Sequence, residues 1–169
     1  RTSAARVMGL AKDKASIDRL MELVQKDKPS VRRQAATALG QIGDQRAVSA
    51  LLNTAATNKD RFADHAIIYS LITLRSTAPL IAALKNPSTS VRKSALIALD
   101  QMDGSVLSKE NLDAFLNSSD PESRKTGIWV ASHRPEWSDI VINFLKGRLA
   151  VPNLSDADIT AVRDLMITF

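Results

Sequence analysis

The sequence predicts an all-α fold, an α-solenoid of stacked antiparallel helix pairs, and three observations predict it. First, a helical plan recurs: PSVRRQAATALGQIG at 29–43 and PSTSVRKSALIALDQMDG at 87–104 match position by position, Val31 answering to Val91, Arg32 to Arg92, Arg33 to Lys93, Ala35 to Ala95 and Leu39 to Leu99. Second, shorter segments with apolar residues at i, i+3 and i+4 alternate with these copies. Third, no segment alternates as a strand between hairpin turns. A helix pair of about 30 residues cannot bury both faces alone, so copies must stack and share one elongated core.

Taken in order, TSAARVMGLA reads as a truncated first copy, followed by IDRLMELV and the 29–43 helix ending at Gly43. AVSALLNTA precedes the middle copy RFADHAIIYSLITL, where Leu71 stands for Leu39 and Ile67 for Ala35. APLIAALK precedes the 87–104 copy, which stops at Gly104. NLDAFLNS then leads into DPESRKTGIWVAS, with Arg124 and Lys125 in the arginine positions and Gly127 in place of Ala95. Small residues at Ala35, Ala95 and Gly127 predict close helix approach, and Ile67 predicts different packing there. Pro121 and Pro135 fit first helical turns, DIVINFLK forms the next helix, and Ser155 with Asp158 starts a last one over 155–167. About five repeats result, truncated at both ends and forming one domain over 1–169.

Composition bounds the function. The chain has 169 residues, 44% hydrophobic and 24% charged, which is globular, and a net charge of +5 biases it mildly toward acidic partners. It has no cysteine, which excludes disulfides, thiolate metal sites and thiol catalysis. No apolar run approaches a membrane span. The start RTSAARVMGLA lacks an initiator methionine and the end LMITF lacks a polar tail, so a piece of a larger protein is expected.

The stretch LMELVQKDKPSVRRQAATALGQIGDQRAVSALL resembles HEAT-like repeats of the short type also found in bilin lyases. That resemblance covers nearly the whole chain, strongest at 20–52 and 79–103. It implies a ladder in which an early arginine of the second helix pairs with an acidic or polar residue of the preceding turn: Asp27 with Arg32 and Asp120 with Arg124. Asn86 precedes Arg92, and Asp64 occupies the arginine position of the second repeat, so the ladder is incomplete there. HAIIYSL, ALIALDQMDG and WVASHRPEW further resemble large exported bacterial proteins that join a sugar-dehydrogenase-like propeller, a HEAT-like array and a c-type cytochrome domain. This narrower resemblance implies a spacer or docking segment and a cell-envelope location; without it a cytoplasmic location is expected.

Enzyme chemistry finds little footing. Deoxyhypusine hydroxylases hold iron with paired His-Glu motifs, but His65 and His133 are on different repeats and neither precedes glutamate. Serines lack a nucleophile elbow, and the pairs Asp100/Asp103 and Asp156/Asp158 fall at helix ends where capping accounts for them. No cofactor or metal site is expected. The repeated basic positions are the better signal: Arg33, His65, Lys93 and Lys125 share one repeat position, and stacking draws such positions into a line. HEAT-like DNA glycosylases use a basic surface with aromatics nearby. Here the aromatics are expected not to interleave with the line: Phe115, Phe144 and Trp129 read as core, and Trp137 as the exposed aromatic. Three readings stay open: a non-catalytic scaffold that docks a protein partner or flanking domains of the same chain, a binder of nucleic acid or another polyanion, and an enzyme of the bilin-lyase kind.

Overall fold

Several of the helices start where the sequence supplies a cap or a proline. In the computed structural model, which describes residues 1–104, 106–150 and 152–168, the helices are α1 (Thr2–Leu10), α2 (Ile17–Lys26), α3 (Pro29–Ile42), α4 (Ala47–Thr57), α5 (Arg61–Leu74), α6 (Thr77–Ala83), α7 (Thr89–Gln101), α8 (Lys109–Leu116), α9 (Pro121–Ala131), α10 (Ser138–Leu149) and α11 (Asp156–Thr168). Pro29 and Pro121 occupy first turns, where a missing N–H costs nothing. The Asp60 and Asp120 carboxylates accept from the backbone N–H groups of Ala63 and Ser123. Ser108 and Asn111 form a reciprocal capping box at α8, and the Ser155 hydroxyl accepts from the Asp158 N–H ahead of α11. Pro135 opens a short 3-10 turn that leads into α10. Gly43 ends α3 at φ 79°, and Arg75 ends α5 in the same left-handed region at φ 51°.

The fold is all-α with the helix-pair stacking of an α-solenoid, and no strand occurs among the described residues. Two compact units divide it, residues 1–106 and 107–169. In the first, α1, α3, α5 and α7 pack side by side in one layer and α2, α4 and α6 back them. Leu20, Leu39, Leu51, Ile67, Leu71, Leu80, Leu96 and Leu99 fill the space between the layers and are fully buried. In the second, α8 packs on α9, and α10 and α11 complete the pairs around Leu112, Leu116 and Leu165.

Helix spacing is set by small residues. Ala35 and Ala95 are fully buried. At Gly127 a Cβ would meet Phe115 Cβ at 3.0 Å and the Leu116 backbone nitrogen at 3.2 Å, so α9 lies directly on α8 as the sequence predicts. Two further close approaches were not anticipated. A Cβ on Gly9 would stand 2.7 Å from Ala38 Cα, and one on Gly40 would stand 2.9 Å from Ser70 Cα. Glycine at these two positions brings α1 onto α3 and α3 onto α5. The Ser70 hydroxyl completes the second contact by donating to the carbonyl oxygens of Ala36 and Ala66, each at 2.7 Å.

Candidate functional site

The arginine and the basic residue that follows it, Arg32-Arg33, Arg92-Lys93 and Arg124-Lys125, have different environments. Arg32, on the fourth residue of α3, turns inward, and its Nε donates to the Val24 carbonyl at 3.0 Å. Arg92 donates to the carbonyls of Asn86 and Pro87, both at 2.9 Å. Arg124, 6% exposed, donates to those of Ser118 and Ser119 at 2.8 and 3.1 Å. These carbonyls lie in or just past the last turn of the preceding helix, where no helical N–H reaches them and the dipole is negative.

The ladder is thus a correction to the expected one, because the arginines serve backbone carbonyls rather than the Asp27 and Asp120 carboxylates. Asp27 accepts from Arg1 at 2.9 Å and from the Lys28 N–H at 2.7 Å, the N–H first and the guanidinium second holding its carboxyl below the ordinary range. Asp120 accepts from the Ser123 N–H and hydroxyl. In the second repeat the polarity reverses: Asp64 accepts from the Asn58 amide at 2.9 Å, and that amide also donates to the Asp60 carbonyl. Arg32 Nη2 and Arg124 Nε are buried without a hydrogen-bond partner, which lowers the net gain of these rungs.

The fifth residues of α3, α5, α7 and α9 differ from their neighbours on the fourth. Arg33 and His65 are exposed and Lys93 is half-buried, at matching positions of α3, α5 and α7, which pack in that order. Lys125 is exposed at the same position of α9 in the second unit. Aromatics flank this position, contrary to the expectation from sequence. Phe62 lies three residues before His65 and Tyr69 four residues after it, which puts all three on one ridge of α5, and the two rings are 59% and 61% exposed. The matching ridge of α3 carries Ser30, Arg33, Thr37 and Gln41, and that of α7 carries Ser90, Lys93, Ile97 and Gln101. No carboxylate stands among these positions.

In the second unit, Trp129 holds the Tyr69 position and is 41% exposed, correcting its expected place in the core. The His133 ring meets it edge-on with centroids 4.6 Å apart. Trp137, the aromatic expected to be exposed, is half-buried, with the Arg134 guanidinium 5.0 Å over its ring. Phe115 and Phe144 are buried as expected. The signal for the exposed aromatics was present in the register, at three residues before or four after the basic position.

Other chemistry does not converge. Among the described residues no three His, Asp or Glu side chains gather as metal ligands. His65 and His133 belong to different units. Asp100 is buried and accepts from the Gln101 amide, Asp103 pairs with Arg75 at 2.7 Å, and Asp158 pairs with Arg148 at 3.1 Å. An open cleft of about 380 Å³ lies between α9 and α11, lined by Glu122, Arg124, Lys125, Asp156 and Thr160, but its charges alternate in sign. No described helix is long and apolar enough to cross a membrane.

The alternating helix pairs are similar to those of a known repeat family. Residues 1–72 match the family model of HEAT repeats. The matched part takes in α1 to α4 and most of α5, and helices continue in sequence after it. No curated protein matches the chain at a significant level. Among solved structures, a designed armadillo repeat protein in complex with the peptide (KR)4 is similar at a TM-score of 0.48 and 13% identity, over 99% of this chain and 92% of that one. YibA of Escherichia coli is similar at 0.47 and 20% identity, over 95% of this chain, which spans 63% of YibA. A second designed armadillo repeat protein gives 0.43 and 12%, over 99% and 92%. At these TM-scores none of the three bears on what the chain does.

Proposed function

We propose that the chain is a non-catalytic docking module, a HEAT-like scaffold whose helix ridges hold a protein partner or a neighbouring domain of a longer chain. One observation carries this reading: the outward ridge of α3, α5 and α7 presents Arg33, His65 and Lys93 with exposed Phe62 and Tyr69, while the groups with structural duties, Arg32 and Arg92, turn inward. Exposed aromatics cost burial they do not receive within the monomer, and aromatics beside basic groups are enriched at protein interfaces. In the second unit, Lys125 and Trp129 hold the equivalent positions of α9.

Mechanistically, such a surface works by complementarity over several repeats, with charge setting the rate and selectivity of encounter. The double substitution Arg33→Glu with Lys93→Glu should abolish recovery of a specific partner from extracts of the source cells, while helical content and urea midpoint stay those of the unmodified chain. Identical partner recovery by the reversed and unmodified chains, compared by quantitative mass spectrometry, overturns the assigned face.

A further inference from the structure

The spacing of the ridge defines a partner. Packed helices lie about 8–10 Å apart, so corresponding positions on α3 and α7, two helix steps apart, are separated by about 16–20 Å. A segment in the extended polyproline II conformation advances about 3.1 Å per residue and turns once every three, so roughly six residues cover that distance and its first, fourth and seventh side chains share one face. Arg33 and Lys93 stand at the two ends, and Phe62, His65 and Tyr69 stand on the helix between them. Among the twelve ridge positions of the three helices the charged or titratable residues are Arg33, His65 and Lys93, the aromatics are Phe62 and Tyr69, and none is a carboxylate, so the charge complement is acidic and its middle is apolar.

We propose that this ridge binds an extended acidic segment of a partner protein, with carboxylates six residues apart on Arg33 and Lys93 and an apolar side chain between them lying against Phe62 and Tyr69. The inference rests on the docking reading above and names the partner's chemistry. A carboxylate at each end faces one exposed or half-buried cation, each pair contributing modestly in water. The central ring contact supplies the apolar area that the charges lack, and the two together fix the register of the segment.

A nucleic acid strand would need more than this. Two permanent cations neutralise few phosphates, and affinity for a strand depends on many released counterions. The favoured occupant is therefore a peptide, with a nucleic acid as a competing outcome of the test.

The test uses the whole 169-residue chain and a fluorescein-labelled peptide with glutamate at its first and seventh positions, phenylalanine at its fourth and serine or glycine elsewhere. Fluorescence anisotropy should show saturable binding at low salt, weakened about tenfold by Arg33→Gln with Lys93→Gln and by a similar factor with Tyr69→Ala. The same peptide with its second glutamate moved from the seventh to the third position, phenylalanine kept at the fourth, should bind about as weakly as these variants do. Urea midpoints unchanged by the three surface substitutions establish that binding, not folding, is read. Absence of binding, affinity indifferent to the three substitutions, or equal affinity for the two peptides overturns the proposal. So does tighter, Tyr69-dependent binding of an oligothymidine. If the peptide fails while charge reversal still removes a specific cellular partner, the acidic segment is wrong and the docking face stands; if charge reversal changes neither, both fall.

Discussion

Replacing Gly40 by valine is expected to destabilise the first unit by about 3 kcal/mol, at the upper end of the range for overpacked cores. The first added atom alone would lie 2.9 Å from Ser70 Cα and 2.8 Å from Ser70 Oγ, closer than ordinary contact permits. The obstacle includes backbone, so relief requires α3 and α5 to separate, and separation stretches the 2.7 Å bond from the Ser70 hydroxyl to the Ala36 carbonyl. A buried hydroxyl that loses this partner keeps only the Ala66 carbonyl within its own helix. Gly147 provides the control. It lies within α10 with nothing within 4 Å of an added Cβ, so Gly147→Ala should stabilise by up to about 1 kcal/mol through helix propensity. Urea denaturation of both variants checks the pair; equal effects of the same sign would contradict the packing argument.

Arg124→Ala should cost about 2–3 kcal/mol, the scale of losing charged hydrogen bonds to groups that stay covered. The Arg124 guanidinium is the donor that reaches both Ser118 and Ser119 carbonyls, bridging the turn between α8 and α9. Arg124→Lys should recover only part of the loss, because an ammonium on a flexible stem does not reproduce the planar fork. Lys125→Ala, at an exposed position, should change stability by less than about 0.5 kcal/mol. Thermal unfolding of the three variants checks the contrast.

Much of this architecture is legible in the sequence because apolar period, proline and glycine act locally. The recurring Arg-Arg/Lys pair places α3, α7 and α9 in one register, and Ser155 with Asp158 places the start of α11 within one residue. The rung partners were not legible. A guanidinium seeks whatever acceptor is unsatisfied, and a helix-end carbonyl is present in every residue type, so Val24 leaves no mark that Asp27 does. Gly9 and Gly40 were missed for a related reason. A glycine inside a helix declares room for a neighbour only once the neighbour, Ala38 or Ser70, is known.

The site was half legible. Identity of register found Arg33, His65, Lys93 and Lys125, but hydrophobic character assigned Trp129 to the core, and Phe62 and Tyr69 were not recognised as ridge residues. Counting three and four residues from the basic position puts these rings on the same ridge, and burial confirms it. Trp137 shows the converse: its place at a helix start suggested exposure, whereas Arg134 covers its face.

Central to the account is the division of labour between two neighbours in sequence, Arg32 inside and Arg33 outside. Urea denaturation of Arg32→Ala and Arg33→Ala tests it most directly. The account predicts that Arg32→Ala lowers stability by about 1–2 kcal/mol through loss of the bond to Val24 and of packing, while Arg33→Ala stays within about 0.5 kcal/mol of the unmodified chain. Equal losses at the two positions, or a larger one at Arg33, would contradict it.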